Sequence, residues 1–421
     1  MYRGGAILYS IGICLLISLL SGSILFLSFL YSSEIFQLNS IKNVILNSKS
    51  GLNLLLVSNY SEYKVKSKID LFGKGVDSVE LQLRTWGIYR IASSFAWSGK
   101  FNASKIAILG KRLDADDHTA MILSNSRTPL SLCGNTELTG NFYIPGGMIT
   151  KTYLEGQSFS SKGIVKGKFF KSEGPIPNPS NEFVAEMIEF ASSKGGFGDS
   201  VFEWESIEEN RPIENSFTSK TLILKSKYEI RIPSTMKIEG NIIIESDTKI
   251  IVAGNATIED AILISPQIIL ESGFTGTLQC FTTDSIHVYE NCLLNYPSAL
   301  VYISEKQISK NPCIKVESGT SIYGEIISYC NSNEIKATNH TSIGIKSKIN
   351  GIVYTSGSLD IKGVVNGVVY ANQLIYNDGA SSHLNTLMNA IINRDKLPKT
   401  FVCSFGALTD TYGIAKYIQH E

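Results

Sequence analysis

The chain has 421 residues and 46.2 kDa, of which 43% are hydrophobic and 18% charged, with 38 basic side chains set against 38 acidic ones. That length points to two or three domains, and the neutral balance leaves no excess of positive charge to hold a polyphosphate, so nucleic acid is excluded as an expected partner. The apolar share is enough for a sizeable core, and the mixture of Ile, Ser, Asn, Gly and Thr reads as mainly β, not disordered.

Residues 1–5 form a short leader ahead of an apolar run from Ala6 to Tyr31, 26 residues without a charge. As a helix it spans ~39 Å against a hydrocarbon core of ~30 Å, so residues 6–31 are expected to cross a membrane once. Arg3 is the only charged side chain before it, Glu34 the first after it and Lys42 the first basic one. The positive-inside rule then puts the N-terminus in the cytoplasm and the bulk of the chain on the periplasmic or extracellular side of a bacterial inner membrane. A cleaved signal peptide with Ser21-Gly22-Ser23 as its site is the competing reading.

The start Met1-Tyr2-Arg3-Gly4-Gly5-Ala6, running straight into that helix, resembles the prepilin leader of type IV pilins and type II secretion pseudopilins. The resemblance implies processing at Gly4 or Gly5 and packing of the helix against other membrane or pilin-like proteins. The Glu that these families usually carry at the fifth mature position is missing. Cleavage after Gly4 puts Tyr9 there, and cleavage after Gly5 puts Ser10.

Residues 32–110 begin with Ile35, Leu38, Ile41 and Ile45 at helical spacing, which predicts an amphipathic stalk reaching toward Asn47 with one face to be covered. Three strand-like runs follow, at 79–84, 88–96 and 105–109, separated by turn signals at Gly87 and at Ser98-Gly99. They predict an antiparallel meander that covers the stalk. A long helix followed by a meander is also the layout of a pilin head, so the resemblance extends over about residues 1–110.

Residues 111–174 read as short β coils. Residues 175–219 hold a stiff Pro-rich linker, Pro175 to Pro179, and a helix over 181–193 with Ser180 as N-cap and Phe183, Met187 and Phe190 on one face. The stretch Gly195 to Gly198 ends that helix. Residues 220–380 carry an internal repeat. Ile349-Asn350-Gly351-Ile352-Val353-Tyr354 returns sixteen residues later as Val365-Asn366-Gly367-Val368-Val369-Tyr370, and Leu138-Thr139-Gly140-Asn141 resembles Ile238-Glu239-Gly240-Asn241. Apolar clusters three residues long are too short for free hairpins, but stacked they bury one continuous column, which predicts a parallel β-helix (solenoid) in preference to a sandwich. The Asn-Gly pairs mark its corners. The repeat is similar to the coils of the bactofilin family, β-helices that polymerise. Residues 381–421 read as a capping helix over 381–393, with Leu384, Leu387, Met388 and Ile391 on its apolar stripe, and a patternless tail.

The residues that could carry chemistry are scattered. Glu245 with Asp247, Glu259 with Asp260, and Asp284 with His287 are the carboxylate candidates for a glycan-cleaving site. No paired His spacing suggests a metal, and no phosphate loop or nucleophile elbow suggests a cofactor. Cys14 lies in the membrane run and six cysteines follow it. Among them Cys280 with Cys292, or Cys313 with Cys330, are the expected disulfide pairs. The alternative is that they are small apolar residues inside the coils. The expected function is a membrane-anchored, non-enzymatic structural or assembly component of an envelope fibre or secretion apparatus. One alternative is a surface β-helix that binds or cleaves neutral glycans along a row of Tyr289, Tyr296, Tyr302, Tyr323 and Tyr329. Another is an anchored, self-polymerising β-helix scaffold.

Overall fold

The computed structural model describes residues 4–58, 60–71, 78–114, 116–160, 165–192, 200–208, 211–304, 313–330, 339–379, 381–405 and 408–418. The leader residues Met1 to Arg3 and the expected Gly195–Gly198 turn lie outside these. The chain is mainly β, with one long apolar helix at its N-terminus. Its contacts divide into two compact units, residues 1–83 with 92–106 and residues 84–91 with 107–421.

The first unit is built on the helix Gly4–Val57, 54 residues without a proline or a break. Its first half is exposed all round. The hydroxyls of Ser18, Ser23 and Ser40 donate to the carbonyls of Cys14, Leu19 and Phe36 one turn back, so these side chains are satisfied without water. The covered face starts at Val44 and continues through Ser48, Gly51, Leu52 and Leu55. A Cβ on Gly51 would stand 2.3 Å from the Ser94 hydroxyl and 2.7 Å from a Leu81 methyl. Glycine is therefore what lets the helix close onto the strands.

Those strands are Ser78–Trp86, Tyr89–Ser98 and Phe101–Leu113, hydrogen-bonded in that order and joined by two-residue turns, with Ser67–Ile69 antiparallel on the first. Two-residue turns permit only antiparallel neighbours, so the expected meander is present. Its position on the helix differs from the expectation. Ile35, Leu38, Ile41 and Ile45 are 40–59% exposed. The helix runs ten residues past Asn47 to Val57, and the strands meet this later part of it.

In the second unit, short parallel strands stack into coils with three ladders. One ladder carries a single apolar column in register: Phe202, Leu224, Ile244, Leu263, Cys280, Leu300, Ile326, Val353, Val369, Met121, Phe142, Phe169. A second runs from Ile232 through Leu270 and Val316 to Ile361, and a third from Ile213 through Ile258 and Ile349 to Val165. All three feed one core cluster. The order of the rungs is not the order of the chain. Val369 pairs with Met121 and Ile392 with Leu138, so residues 119–171 are added as the last coils beyond residues 364–393. The two β segments are one stack.

At the bend between the third and first ladders, Gly324, Gly351 and Gly367 have φ of 147°, 155° and 158° and lie on top of one another. A Cβ on Gly351 would stand 1.7 Å from the Gly324 carbonyl oxygen. The preceding asparagines form their own ladder, Asn366 Nδ2 donating to Asn350 Oδ1 at 2.9 Å.

The helix Asn181–Ser192 forms as expected, with the Ser180 hydroxyl accepting from the Phe183 amide. The capping helix over 381–393 does not. Those residues make the strands Ser382–Leu384, Thr386–Met388 and Ile391–Asn393. Asn385 and Asn389 sit between them at φ of 46° and 55°, a left-handed conformation that asparagine tolerates and a continuing helix does not. The strand Thr386–Met388 pairs with Leu130–Cys133, so the segment extends the stack.

Replacing Gly351 by Ala, which places a methyl group against the next coil's backbone, is expected to lower stability by roughly 1–3 kcal/mol. Denaturant unfolding of the wild type and the variant side by side measures it, and an unchanged midpoint would contradict the close approach.

Candidate functional site

The helix Gly4–Val57 carries a continuous run of exposed apolar side chains, with Ile7, Leu8, Tyr9 and Phe29 all more than 60% exposed. It is long and apolar enough to cross a membrane. Gly4 and Gly5 open it. A Cβ on Gly5 would meet nothing within 4 Å, so packing does not demand glycine there, although each glycine costs a helix about 1 kcal/mol relative to Ala.

The outward side of the first ladder is mostly apolar: Ile223, Ile243, Ile262, Gln279, Ala299, Glu325, Ile352 and Val368 follow one another in register. Its two polar rungs are fastening points. Gln279 is buried, its Oε1 accepting from the Ile88 amide at 2.9 Å and its Nε2 donating to the Trp86 carbonyl at 3.0 Å, so one side-chain amide satisfies both sides of the turn at Gly87. Glu325 is fully buried and accepts from the Ser404 amide at 2.8 Å and the Ser404 hydroxyl at 2.7 Å. Beside it the Tyr296 hydroxyl donates to the Val402 carbonyl and accepts from the Val402 amide. Together they hold residues 402–404, whose strand Val402–Cys403 pairs antiparallel with Arg112 and Lys111. Burial pushes the Glu325 carboxyl up to about 7, against the opposing pull of the Ser404 hydrogen bonds. Burial also raises the Tyr89 phenol and the Cys403 thiol next to it. Sequence reasoning missed Gln279 and Glu325. The signal was available in the repeat, as a polar residue at a rung whose neighbours in adjacent coils are Ile, Ala or Ile.

The candidate catalytic carboxylates do not converge. Glu245 pairs with Lys225 at 3.2 Å, and Asp284 accepts from Gln267 at 2.6 Å while His287 pairs with Glu317 at 3.0 Å. Glu259 and Asp260 line an open cavity of about 580 Å³ together with Glu214, Glu239 and Lys416. Lys416 lies 2.7 Å from both of them, and Lys237 bridges Glu214 and Glu239. A hydrolytic pair needs one protonated acid and one free base, and here each carboxylate is tied to a lysine.

The expected tyrosine row does not form either. Tyr289 and Tyr323 are 39% and 37% exposed, but Tyr302 is buried in the core and Tyr296 is committed to Val402. All seven cysteines are free thiols in the structure. Cys280 is an interior rung between Leu263 and Leu300, and the Cys292 thiol points to the Glu271 carbonyl on another side of the coil. Cys313 and Cys330 are buried, Cys313 against Tyr302 and Cys330 in register with Ser304. Among the described residues no group of His, Cys, Asp or Glu could hold a metal ion.

No protein-family model matches the chain, and no curated protein does. Among solved structures it is similar to the competence-associated pilin ComZ from Thermus thermophilus, at 10% identity over 90% of this chain and 96% of that one, with a TM-score of 0.25. That score is too low for a shared fold.

The raised Glu325 carboxyl sets a pH dependence. Its folded value lies above its unfolded one, so the native state holds the extra proton. The contribution of this carboxyl to stability is fully present below about pH 4.5 and is lost as pH rises to about 7, by at most roughly 3 kcal/mol. In Glu325→Gln the amide keeps an acceptor for the Ser404 N–H and offers its hydroxyl a donor, as the protonated acid does. The difference in unfolding free energy between variant and wild type is therefore expected to grow in favour of the variant from pH 5 to pH 7.5. A difference that stays constant with pH would refute the assignment.

Proposed function

We propose that this protein is a membrane-anchored, non-enzymatic component of an envelope assembly, of the minor-pilin or pseudopilin kind. The observation that carries this reading is the unbroken 54-residue helix, exposed and apolar over its first half and packed on an antiparallel meander over its last third. One helix thus serves as membrane anchor at one end and as scaffold for a folded head at the other. The N-terminus lies in the cytoplasm, as the position of Arg3 before the helix and of Glu34 after it favours, and the bulk of the chain lies outside the cytoplasmic membrane of a bacterium.

Partners are other helices of the same class within the bilayer. Association in lipid relies on close backbone approach at small residues, and Gly12, Ser18 and Gly22 supply such positions. The pairing of Glu245, Glu259 and Asp260 with lysines supports a structural role over glycan cleavage.

N-terminal sequencing of the protein recovered from membranes of a host that processes prepilins tests this reading. A chain beginning at Gly5 or Ala6 is the expected result. An intact Met1, or a start near Ile24 as a signal peptidase would leave, would overturn the pilin-like assignment.

A further inference from the structure

The coil stack ends in two strands that each have a ladder partner on one side only among the described residues. At one end Val165–Lys171 pairs with Glu137–Ile144, and at the other Ser200–Glu203 pairs with Leu222–Ser226. An open strand edge is a template for another strand unless charge forbids it. Here the two edges carry opposite charge. Among the described residues, the terminal coils that include Val165–Lys171 hold Lys151, Lys166, Lys168 and Lys171 against Glu155 and Glu173, and Glu155 is engaged by the Tyr376 hydroxyl. Among the described residues the first coil holds Glu203, Glu205 and Glu208 against Arg211, and a further carboxylate, Glu214, that is engaged by Lys237.

The apolar column is also open at the acidic end. Phe202 occupies an interior rung, in register with Leu224, yet is 55% exposed, and Val201 beside it is 52% exposed. At the basic end Phe169 is the last rung and Phe170 next to it is 38% exposed, with Met148 and Tyr153 of the same end exposed at 72% and 68%. Two aromatic column ends and two opposite charges make the ends complementary to each other and not to themselves.

We propose that the coil stack of one copy continues into a second copy of this chain, Val165–Lys171 of one pairing in parallel with Ser200–Glu203 of the next. Continuing the register sets Phe169 beside Phe202 and Phe170 beside Glu203, with Lys168 two positions away on the same side as that carboxylate and Lys171 next to it along the chain at the strand's end. The contact is head-to-tail, so it repeats without closing and generates a row of copies. Pairing of two basic ends or of two acidic ends is opposed by like charge. The inference rests on the strand edges alone and stands whether or not the leader is processed.

The test uses the full chain in vesicles of neutral phosphatidylcholine, with Cys14→Ser to remove the exposed native thiol. Lys168→Cys and Val201→Cys are made separately, reconstituted alone or together, and exposed to a mild thiol oxidant. A cross-linked pair is expected in the mixture and not in either variant alone. In that pair, the additional changes Lys171→Glu on one partner and Glu203→Lys on the other are expected to lower the yield roughly tenfold singly and to restore it together. No cross-link in the mixture, equal cross-linking within one variant, or a yield indifferent to the charge reversals would overturn the proposal. The last result would assign association to the membrane helices instead.

Discussion

Parallel stacking in register is the constraint on which the β-rich unit depends. A strand of three to five residues, such as Ile230–Ile232 or Lys249–Val252, cannot bury enough surface or make enough hydrogen bonds to persist alone. Each takes both from the coils on either side, so no coil is stable by itself and the column must be continuous. The column tolerates a small rung, Cys280, because Leu263 and Leu300 are large. It tolerates Gly276 because the Phe274 ring fills the space a side chain would have taken. Extra residues are absorbed at the bends, where register shifts occur between Glu259 and Ala261 and between Leu294 and Ser298, while the rungs themselves stay aligned. Inserting a residue within a ladder would turn its apolar side outward, so length variation is confined to the bends.

The same stacking sets the rules on the outward side of the first ladder. Rungs there would ordinarily face water, and several are covered instead, so every polar group must find a partner. Gln279 answers with an amide matched to the N–H and C=O of one turn. Glu325 answers with two oxygens for the two donors of Ser404. The carboxylate is the more costly solution, because a buried negative charge is poorly compensated by uncharged donors, and this is why protonation stabilises it. A polar rung under a covering segment thus fixes where that segment sits, at some expense in stability.

Much of this architecture was legible in the sequence. The sixteen-residue repeat at 349–370 corresponds residue for residue to the ladder, Asn350 on Asn366 and Gly351 on Gly367. The likeness of Leu138-Thr139-Gly140 to Ile238-Glu239-Gly240 reflects a shared place on the third ladder, both glycines having positive φ, although many coils separate them. What was not legible is long-range. Nothing local says that residues 119–171 add to the coil at 364–393, since any apolar triplet can stack on any other. The segment 381–393 reads as a helix because Leu384, Leu387, Met388 and Ile391 fit a helical stripe as well as three short strands. Asn385 and Asn389 decided between them through contacts with distant residues, Thr128 and Asn135, that the local pattern does not contain. The buried face of the N-terminal helix lies later than the spacing of Ile35, Leu38, Ile41 and Ile45 suggests, because Gly51, the position of closest approach, has no hydrophobic signature.

Anchoring and edge pairing also complement each other energetically. In hydrocarbon an apolar helix gains from leaving lipid only what close packing at small residues supplies, so the exposed half of Gly4–Val57 meets helices of its own class without fixing their order. A ladder of four residues, such as Ser200–Glu203 offers, chooses a neighbour by charge and register but is too short to hold one from dilute solution. Confining copies to one membrane raises their effective concentration, and a contact too weak in three dimensions then becomes sufficient. On this view neither surface assembles the protein alone: the helix supplies concentration and the strand edges supply identity. That division accounts for the charged strands at both ends of the apolar column, which among the described residues have a ladder partner on one side only.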